Sequence, residues 1–309
     1  IKINSSYLWP LFQKDCKNSM IGIPAISNLL YFNLFETAMN LLPKQRRGCY
    51  LQENQGWEFG FISAWYEAGH NKNLIGFPTA AIVYWDLRNF FDSRSYLRKN
   101  QGDLPLPTYV GVNGESSKQT YVNGGYPNDN LIELESLRYL YLNKYTNSVP
   151  KRKGKELKEI KVLVAGDYLK ENTHKQLNLL SLIMTDIDKS IDFIIKPHPA
   201  CPIDMDDFPN LRGELSSQSI EELIKITDIM YSSLITSAAI DAYSAGVPLI
   251  TFLDGETLNM SPLRGAEGVY FVSNSRELLN AICTINDVSL TEKTNYFFLN
   301  PNLPRWKKW

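Results

Sequence analysis

The 309-residue sequence has little of several features that would mark a specialised class of protein. Its four cysteines, Cys16, Cys49, Cys201 and Cys283, are far apart and form no C-x-x-C pair. This pattern argues against a disulfide framework or a zinc site and is typical of reduced cytosolic thiols. No apolar run approaches the roughly 20 residues that span a bilayer, and no signal peptide is visible. The net charge is −1, so no global attraction to nucleic acid is expected.

The composition, 44% hydrophobic and 21% charged, is that of a soluble globular protein, and the length favours two domains. The sequence starts with Ile1 rather than Met, so we expect that an N-terminal piece is missing. Basic residues cluster in KRKGKELKEIK (Lys151 to Lys161) and in the terminal RWKKW. A solvated linker and tail explain these clusters best, with contact to anionic lipid as the alternative.

The second half of the sequence alternates apolar strands with amphipathic helices. Strands are predicted in IKVLVAGDY (Ile160 to Tyr168), IDFIIKPHP, DIMYSS, VPLITFL and GVYFV. Helices are predicted between and after them, including His174 to Ile187 and the segment TSAAIDAYSAG. Fully apolar strands that alternate with helices predict a parallel sheet covered by helices on both faces.

The first 150 residues are more aromatic and less regular, but they also predict an α/β fold. Helices are predicted at Ala25 to Leu42 and in GWEFGFISAWYEAG, and strands in GCYLQEN, NLIGFP and TYVGVNG. AAIVYWDLRNF is ambiguous between strand and helix. The charged run from Val149 to Lys158 is the best domain boundary. We therefore expect domains over residues 1–150 and 151–290, and a tail over 291–309 that packs back on the first domain.

Polar residues follow four predicted strands of the second half, at the ends where open parallel sheets bind ligands. They are Gly166-Asp167, Lys196-Pro197-His198, Tyr231-Ser232-Ser233 and Asp254-Gly255. Thr236 and Ser237 precede the next helix, so they can cap its first turn while its amide groups face a phosphate. Each residue alone also fits a structural role. Their convergence on one edge of one sheet predicts a phosphate site.

Three motifs with well-defined chemistry are missing from the sequence. There is no Walker GxxxxGK[ST] motif, no GxGxxG motif, and no Asp-x-Asp pair at a predicted strand end. The first two absences argue against a P-loop NTPase and a nicotinamide dehydrogenase. Without an Asp-x-Asp pair, a metal-dependent transferase would have no obvious ligands for its metal ion. We expect no cofactor and no metal.

KPHP, followed by SSLITS and IDAYSAGVPLI, resembles the nucleotide-binding half of GT-B glycosyltransferases, in particular bacterial sialyltransferases and Kdo transferases that use CMP-activated acidic sugars. LNMSPLRGAEGVYFVSNSRELLNAI, LPRW and LQENQGWEFGFISAWYEAG are similar to a surface-carbohydrate biosynthesis subgroup. The resemblance covers most of the chain. It implies two Rossmann-like domains that face each other across a cleft, the first binding the acceptor and the second binding the nucleotide sugar.

In the families that the chain resembles, the His-Pro histidine and the serines contact the phosphate of the CMP-sugar. Many GT-B enzymes have Glu where this chain has Asp241, which leaves the expected ribose contact of Asp241 in question. The resemblance and the strand ends together predict a donor site of eight residues: Gly166, Lys196, His198, Ser232, Ser233, Thr236, Ser237 and Asp241.

Sugar transfer needs a stabilised leaving phosphate and a base for the acceptor hydroxyl. The leaving phosphate would be stabilised by Lys196, His198 and the helix N-terminus at Thr236. His198 could also protonate this phosphate. The prolines beside His198 limit its backbone freedom. Glu53 is our first choice as base and Glu58 the second, although a helix-terminal role explains Glu58 better.

Further candidates for acceptor or secondary contacts lie in loops and at helix ends. They are Asp86, Arg88, Arg138, Asn259 and Ser261. Surface ion pairing explains the three charged residues about as well.

The leading hypothesis is metal-independent transfer of Kdo, sialic acid or a related nonulosonate from a CMP donor to a bacterial surface glycan or lipid-linked glycan. The alternatives are a GT-B transferase that uses a UDP- or GDP-sugar, a nucleotide-sugar 2-epimerase, and an inactive glycan-binding module. We expect a cytoplasmic protein that binds no nucleic acid. The two basic clusters leave peripheral association with the inner membrane open.

Overall fold

The computed structural model describes residues 2–3, 6–83, 86–90, 92, 104–145, 160–234, 236–285 and 296–309. The chain divides into two compact units that interleave in sequence. Unit 1 comprises Ile1–Thr79, Leu87–Asn113 and Lys118–Glu133, and unit 2 comprises Ala80–Asp86, Gly114–Ser117 and Leu134–Trp309. The predicted boundary at Val149 to Lys158 lies outside the described residues.

Unit 1 contains a parallel sheet with helices before and between its strands. The elements are β1 (Lys2–Ile3), β2 (Ser6–Tyr7), α1 (Trp9–Ile21), α2 (Ile23–Leu41), β3 (Gly48–Leu51), α3 (Gly56–Glu67), β4 (Leu74–Phe77), β5 (Tyr109–Val112), α4 (Glu115–Asn123) and β6 (Leu131–Glu133). Among the described residues, the sheet has the order β3-β4-β5-β6, and β1 and β2 form a separate antiparallel pair. The first turn of α4 belongs to unit 2.

The core of unit 1 forms where α2 and α3 pack together next to β3 and β4. Met39 of α2, Trp65 of α3 and Leu74 of β4 are buried in one apolar cluster. Position 48 requires glycine, because a Cβ there would lie 2.6 Å from the Trp65 ring. The predicted helices and strands of the first half are present. The ambiguous AAIVYWDLRNF forms, in its described part, a short 3-10 turn at Leu87–Asn89.

Unit 2 contains a larger sheet whose strands alternate with helices. A 3-10 helix (Leu137–Tyr145) comes first. It is followed by β7 (Lys161–Ala165), α5 (Lys170–Leu182), β8 (Asp192–Lys196), β9 (Glu214–Leu215), α6 (Ile220–Ile224), β10 (Ile229–Ser232), α7 (Ser237–Ser244), β11 (Leu249–Phe252), β12 (Val269–Val272), α8 (Ser275–Thr284) and α9 (Pro304–Lys308). The strand pairs are parallel, which confirms the prediction for the second half.

The strand order in unit 2 is β12-β11-β10-β7-β8-β9. The chain therefore builds outward from β7 in one direction through β8 and β9, and then in the other direction through β10, β11 and β12. The order reverses between β7 and β10, and such switch points are where open α/β sheets bind ligands.

Successive residues of β7 explain why both faces of this sheet are covered. Val162 and Val164 are buried in one apolar cluster, which also holds residues of α5 and α8. Leu163 and Ala165 are buried in a second cluster, which also holds residues of α7 and the 3-10 helix. Because strand side chains alternate between faces, a continuous apolar run such as VLVA (Val162 to Ala165) suits a strand that is buried on both sides.

The C-terminal tail is attached to unit 2 by a buried carboxylate. Glu135 is fully buried, and it accepts hydrogen bonds from the first amides of α9, Arg305 N at 3.1 Å and Trp306 N at 3.3 Å. The guanidinium of Arg305 lies 3.3 Å from the same carboxylate, and Ser136 N donates to Phe298 O. Glu135 and Ser136 fall within residues 1–150, which we expected to form the first domain, and the structure includes them in unit 2.

Among the helices that the structure describes, none combines the length and apolar character needed to cross a membrane.

Candidate functional site

Four loops meet at the carboxyl edge of the unit 2 sheet. The residues Thr251, Ser232, Ala165 and Lys196 stand in one row across β11, β10, β7 and β8. The residues that follow each of them therefore emerge side by side. This arrangement confirms the expectation that the four polar strand ends share one edge.

The N-terminus of α7 lies at the switch point, directly after β10. Thr236 is its N-cap residue and is buried, but its side chain makes no capping hydrogen bond. The first turn of α7 contains no acidic residue. Amide groups at a helix N-terminus without a cap carry a partial positive charge and attract anions. Ser237, the first residue of the helix, is exposed at this end.

Ser233 brings a second polar group to the same place. Its backbone N donates to Ala165 O at 3.2 Å, which fastens the β10 loop to β7 across the switch point. Its side chain is fully buried, and among the described residues the hydroxyl Oγ has no hydrogen-bond partner. A buried hydroxyl without a partner costs about 1 to 3 kcal/mol, which a bound ligand could recover. Ser232, in contrast, faces Thr251 within the sheet, with 3.4 Å between the hydroxyl oxygens.

Gly166 allows the start of the loop after β7 to lie close against α5. A Cβ at this position would lie 3.2 Å from the Thr173 side chain and 3.8 Å from the backbone N of His198. The next residue, Asp167, is buried and accepts hydrogen bonds from Leu169 N and Asn172 Nδ2. Asp167 therefore shapes the loop before α5. The sequence places it at a strand end but gives no sign of this role.

His198 is oriented by the turn that contains it. Its ring nitrogen Nδ1 accepts a hydrogen bond from Ala200 N at 3.1 Å, and its carbonyl accepts one from Cys201 N at 2.8 Å. Because Nδ1 is an acceptor, the neutral ring carries its proton on Nε2. The ring of Tyr168 meets the imidazole edge to face, with 6.2 Å between centroids. The half-buried ring is thus a hydrogen-bond donor at the edge of the site.

Lys196 extends away from the switch point. Its Nζ donates to Ser217 O at 3.3 Å, in the loop after the edge strand β9. This carbonyl is on the far side of β8 from β7. The predicted phosphate contact of Lys196 therefore requires another rotamer and remains a prediction.

Asp241, on the second turn of α7, is a buried acid with an unusual environment. Burial raises its pKa to about 6, although a hydrogen bond from the Tyr141 hydroxyl and the charge of Arg138 both act to lower it. Among the described residues, its Oδ1 has no hydrogen-bond partner. Arg138 itself is exposed and lies over the Tyr139 ring. The structure thus brings two of the predicted residues, Asp241 and Arg138, into one electrostatic group.

In unit 1, the two candidate bases have different surroundings. Glu58 is buried, and its carboxylate accepts hydrogen bonds from the backbone N–H groups of Glu53, Asn54 and Gln55, forming a capping box at the start of α3. Burial raises the pKa of Glu58, and these amides offset part of that effect. This geometry fits the helix-terminal role. Glu53 is exposed, so its carboxylate can meet a ligand.

The remaining secondary candidates occupy loops and turns. Asp86 is half-buried in unit 2, and Arg88 is exposed in the 3-10 turn of unit 1. Asn259 Oδ1 accepts from Ser261 N, and the buried Ser261 accepts at Oγ from Leu263 N. These two bonds give Asn259 and Ser261 a structural role in the loop after β11.

Within the described ranges, no group of three His, Cys, Asp or Glu side chains is placed to hold a metal ion.

No family model and no curated protein sequence matches the chain. Solved structures do resemble it. The S. aureus MnaA structure with UDP has a TM-score of 0.55 at 10% identity, with 89% of this chain and 77% of that chain covered. The UDP-GlcNAc 2-epimerase of Neisseria meningitidis, bound to UDP-GlcNAc, gives 0.53 at 13% identity, covering 88% and 77%. That of Methanocaldococcus jannaschii gives 0.51 at 11% identity, covering 88% and 78%.

The chain has a GT-B-type fold. Its two Rossmann-like α/β units match those of these enzymes, which confirms the predicted fold class. Identity at this level shows the fold alone. None of the three structures is a sialyltransferase or a Kdo transferase, so the likeness gives no support to that finer resemblance.

Proposed function

We propose that the protein is an enzyme that binds a UDP-sugar at the switch point of unit 2 and inverts the configuration at C2 of the sugar. The observation that carries the proposal is that Thr236, the N-cap residue of α7, makes no side-chain capping bond, and that the buried hydroxyl of Ser233, three residues earlier, has no partner among the described residues. Solved UDP-GlcNAc 2-epimerases share the fold, and the one from Neisseria meningitidis is bound to UDP-GlcNAc. This likeness favours the epimerase over the CMP-sugar transferase of our leading hypothesis.

The diphosphate is the part of the ligand that this edge suits best. The free amides at Ser237 and Ala238 and the partial charge of α7 would bind phosphate oxygens, and the Ser233 hydroxyl would donate to another. The Nε2–H of His198 would reach the same group from the β8 loop. A site of this kind exchanges the cost of buried unpaired donors for charge-assisted hydrogen bonds.

The proposed chemistry also requires charge stabilisation at this point. While the nucleotide is attached to C1, the C2 proton has no acidifying neighbour. Departure of the nucleotide with the C1–O electron pair, and loss of the C2 proton to a base, give a C1=C2 double bond. Return of a proton to the opposite face of C2, as the nucleotide oxygen bonds to C1 again, restores the nucleotide sugar with inverted C2. Negative charge accumulates on the leaving diphosphate, where the α7 amides and His198 would stabilise it. Donors of this kind contribute about 3 kcal/mol each in known enzymes.

The same bond breaks when a sugar is transferred to an acceptor, so the transferase remains the second candidate. Its support is the resemblance of KPHP and SSLITS to CMP-sugar enzymes. Glu53 stays our proposed base for either reaction, because its carboxylate is exposed whereas that of Glu58 is occupied by backbone amides. A glycan acceptor and a cytoplasmic location are parts of this second proposal.

Calorimetric titration with UDP, UDP-GlcNAc and CMP separates the two candidates. We expect binding of UDP and UDP-GlcNAc, at least about tenfold tighter than CMP, which corresponds to about 1.4 kcal/mol. Binding of CMP without UDP would instead support the transferase. Binding of none of the three would refute a nucleotide site.

Incubation with UDP-GlcNAc in deuterated water tests the chemistry directly. Epimerisation through proton loss should place deuterium at C2, which proton NMR detects. His198→Ala should lower the rate at least about 100-fold, and His174→Ala is the matched control. His174 lies on α5, with its ring against Phe208, and belongs to none of the four loops. Equal activity of the two variants would contradict the role of His198.

A further inference from the structure

Gln176 is a fully buried polar residue on the inner side of α5. Its exposed fraction is 0%, and its buried neighbours in the helix, Leu177, Leu179 and Leu180, belong to the apolar cluster on that face of the sheet. A polar amide at such a position loses its contacts with water, and only hydrogen bonds inside the protein can replace them. The partners of the Gln176 amide therefore indicate what the residue does.

The Gln176 amide spans the switch point, between the two strands where the strand order reverses. Its Nε2 donates to Ala165 O and to Tyr231 O, each at 3.2 Å. Ala165 is the last residue of β7, and Tyr231 lies one residue before the end of β10. Both partners are carbonyl oxygens, which can only accept, so the NH₂ group must face them and the orientation of the amide is fixed. One side chain thus holds the carboxyl ends of two strands together.

The same carbonyl also fixes Ser233. Ala165 O accepts hydrogen bonds from Gln176 Nε2 and from Ser233 N, both at 3.2 Å. A movement of this carbonyl would therefore move the backbone of Ser233 and the hydroxyl that it carries. Thr236, the N-cap residue of α7, follows three residues later. Gln176 and Ser233 are thus linked through one shared acceptor.

Packing alone does not account for a glutamine at position 176. Among the described residues, its Oε1 has no hydrogen-bond partner, and a buried acceptor without a partner destabilises the folded state. Leucine or methionine would fill a similar volume in this apolar cluster without that penalty. A buried polar residue that is unfavourable for stability, and that lies at the ligand-binding edge of a sheet, is typical of a functional role.

We propose that Gln176 is a positioning residue of the nucleotide site, which holds Ser233 and the start of α7 where they meet the diphosphate. This inference rests on the UDP site proposed above. Because its side chain is fully buried, Gln176 acts through the backbone of β7 and β10 rather than through contact with the ligand. Donors that are held in place before the ligand binds require no reorganisation, and misplacement by about 1 Å can cost about 100-fold in rate.

Calorimetric titration with UDP tests the proposal on the 309-residue protein. Gln176→Met removes the donor group and keeps the volume, and we expect UDP affinity to fall about tenfold. Ser233→Ala and the double variant complete a cycle. If Gln176 acts through Ser233, the double variant should lose far less than the roughly 100-fold expected from two independent tenfold effects. Gln176→Leu is a second variant with the same expectation.

Amide hydrogen exchange tests the positioning without any ligand. In Gln176→Met, the Ser233 amide should exchange at least about tenfold faster than in the wild type. The Gly166 amide is the internal reference, because it donates to Lys196 O on the other side of β7, and its exchange should be unchanged.

Thr227→Val is the matched control for a purely structural effect. Thr227 is buried, and its hydroxyl donates to Leu223 O before β10 begins, so its loss should lower the unfolding free energy and leave UDP binding unchanged. Equal UDP affinity of Gln176→Met and wild type would overturn the proposal. So would a fully additive double variant or unchanged exchange of the Ser233 amide. A wild type that binds no UDP would instead refute the proposed function, and the role of Gln176 would fail with it.

Discussion

Replacing Asp241 by Asn should change how the stability of the protein depends on pH. The side chain is buried between α7 and the 3-10 helix, and the groups that face it are Tyr141 and Arg138. Burial penalises the charged form and is the dominant effect, so the pKa rises from 3.8 to about 6 in the folded protein. Asn keeps a carbonyl oxygen for the Tyr141 hydroxyl and removes the titration.

The magnitude follows from the difference between the folded and unfolded pKa values. A difference of about two pKa units corresponds to about 3 kcal/mol of unfolding free energy. Because the folded pKa of Asp241 is the higher one, the protonated acid favours the folded state. Its contribution is fully present below about pH 4 and is lost as the pH rises through about 6. Above about pH 7, the wild type carries the full cost of a buried charge.

Urea denaturation from pH 4 to pH 8, followed by circular dichroism, measures this contribution. The unfolding free energy of Asp241→Asn, relative to wild type, should rise by about 2 kcal/mol between pH 4 and pH 7. Glu277→Gln is the control of opposite sign. The backbone N–H of Ser273 holds the pKa of Glu277 below its ordinary value. The unfolding free energy of the wild type, relative to Glu277→Gln, should therefore increase as the pH rises. Parallel curves for wild type and Asp241→Asn would refute the reasoning.

Four further predictions concern polar groups, three of them buried. Ser233→Ala should leave the free protein at least as stable and weaken UDP binding about tenfold in calorimetry, whereas Ser244→Ala, whose Oγ also lacks a partner among the described residues, should not affect binding. Glu58→Gln should lower the unfolding free energy by about 2 kcal/mol, because an amide cannot accept all three backbone hydrogen bonds. Glu53→Gln should leave stability unchanged while slowing turnover, and an unaffected rate would remove it as the base. Glu135→Ala should cost about 3 kcal/mol in urea denaturation and speed tryptic cleavage of the tail, and a tail as resistant as that of the wild type would contradict its role.

The arrangement of unit 2 could be predicted because each of its strands carries its own signal. β7 is apolar at every position from Val162 to Ala165, which indicates burial on both faces. Polar residues at Gly166, His198 and Ser233 mark where the strands end. Parallel connections place all such ends on one edge, so local patterns were sufficient to bring distant residues together.

Other features depend on contacts between distant segments and leave no local pattern. Glu135 caps α9 from a position far away in the sequence, and nothing around it differs from a surface glutamate. The burial of Asp241 depends on Tyr141, whose position is set by packing of the 3-10 helix. Lys196 turns toward Ser217 because the loop after β9 offers a carbonyl there, which the strand pattern does not predict.

The two glutamates near the start of α3, Glu53 and Glu58, also differ in whether their roles depend on local sequence. The sequence allowed either to be the base, and a first-turn glutamate favoured by the helix dipole was the better explanation for Glu58. The structure agrees, because backbone amides occupy both carboxylate oxygens of Glu58. A position in the first helical turn is local, so a helix-terminal role could be predicted, and the structure adds the capping box. A catalytic role depends on a ligand, so Glu53 is supported only by its exposure.

The proton position on His198 provides a test that is independent of any substrate. Pro199 has no N–H, so the first amide after the histidine that can reach its ring is that of Ala200, and this amide donates to Nδ1. The neutral ring should therefore carry its proton on Nε2, where it can donate to a phosphate. Long-range nitrogen–proton NMR spectra distinguish the two tautomers, and the chain has only three histidines to assign.

His70 is an internal reference, because its Nδ1 accepts from Gln45 N and its Nε2 lies 3.2 Å from Met39 O. Both rings should show the Nε2–H form. A proton on Nδ1 of His198 would mean that the turn does not orient the imidazole, and the assignment of His198 as phosphate donor would fail with it.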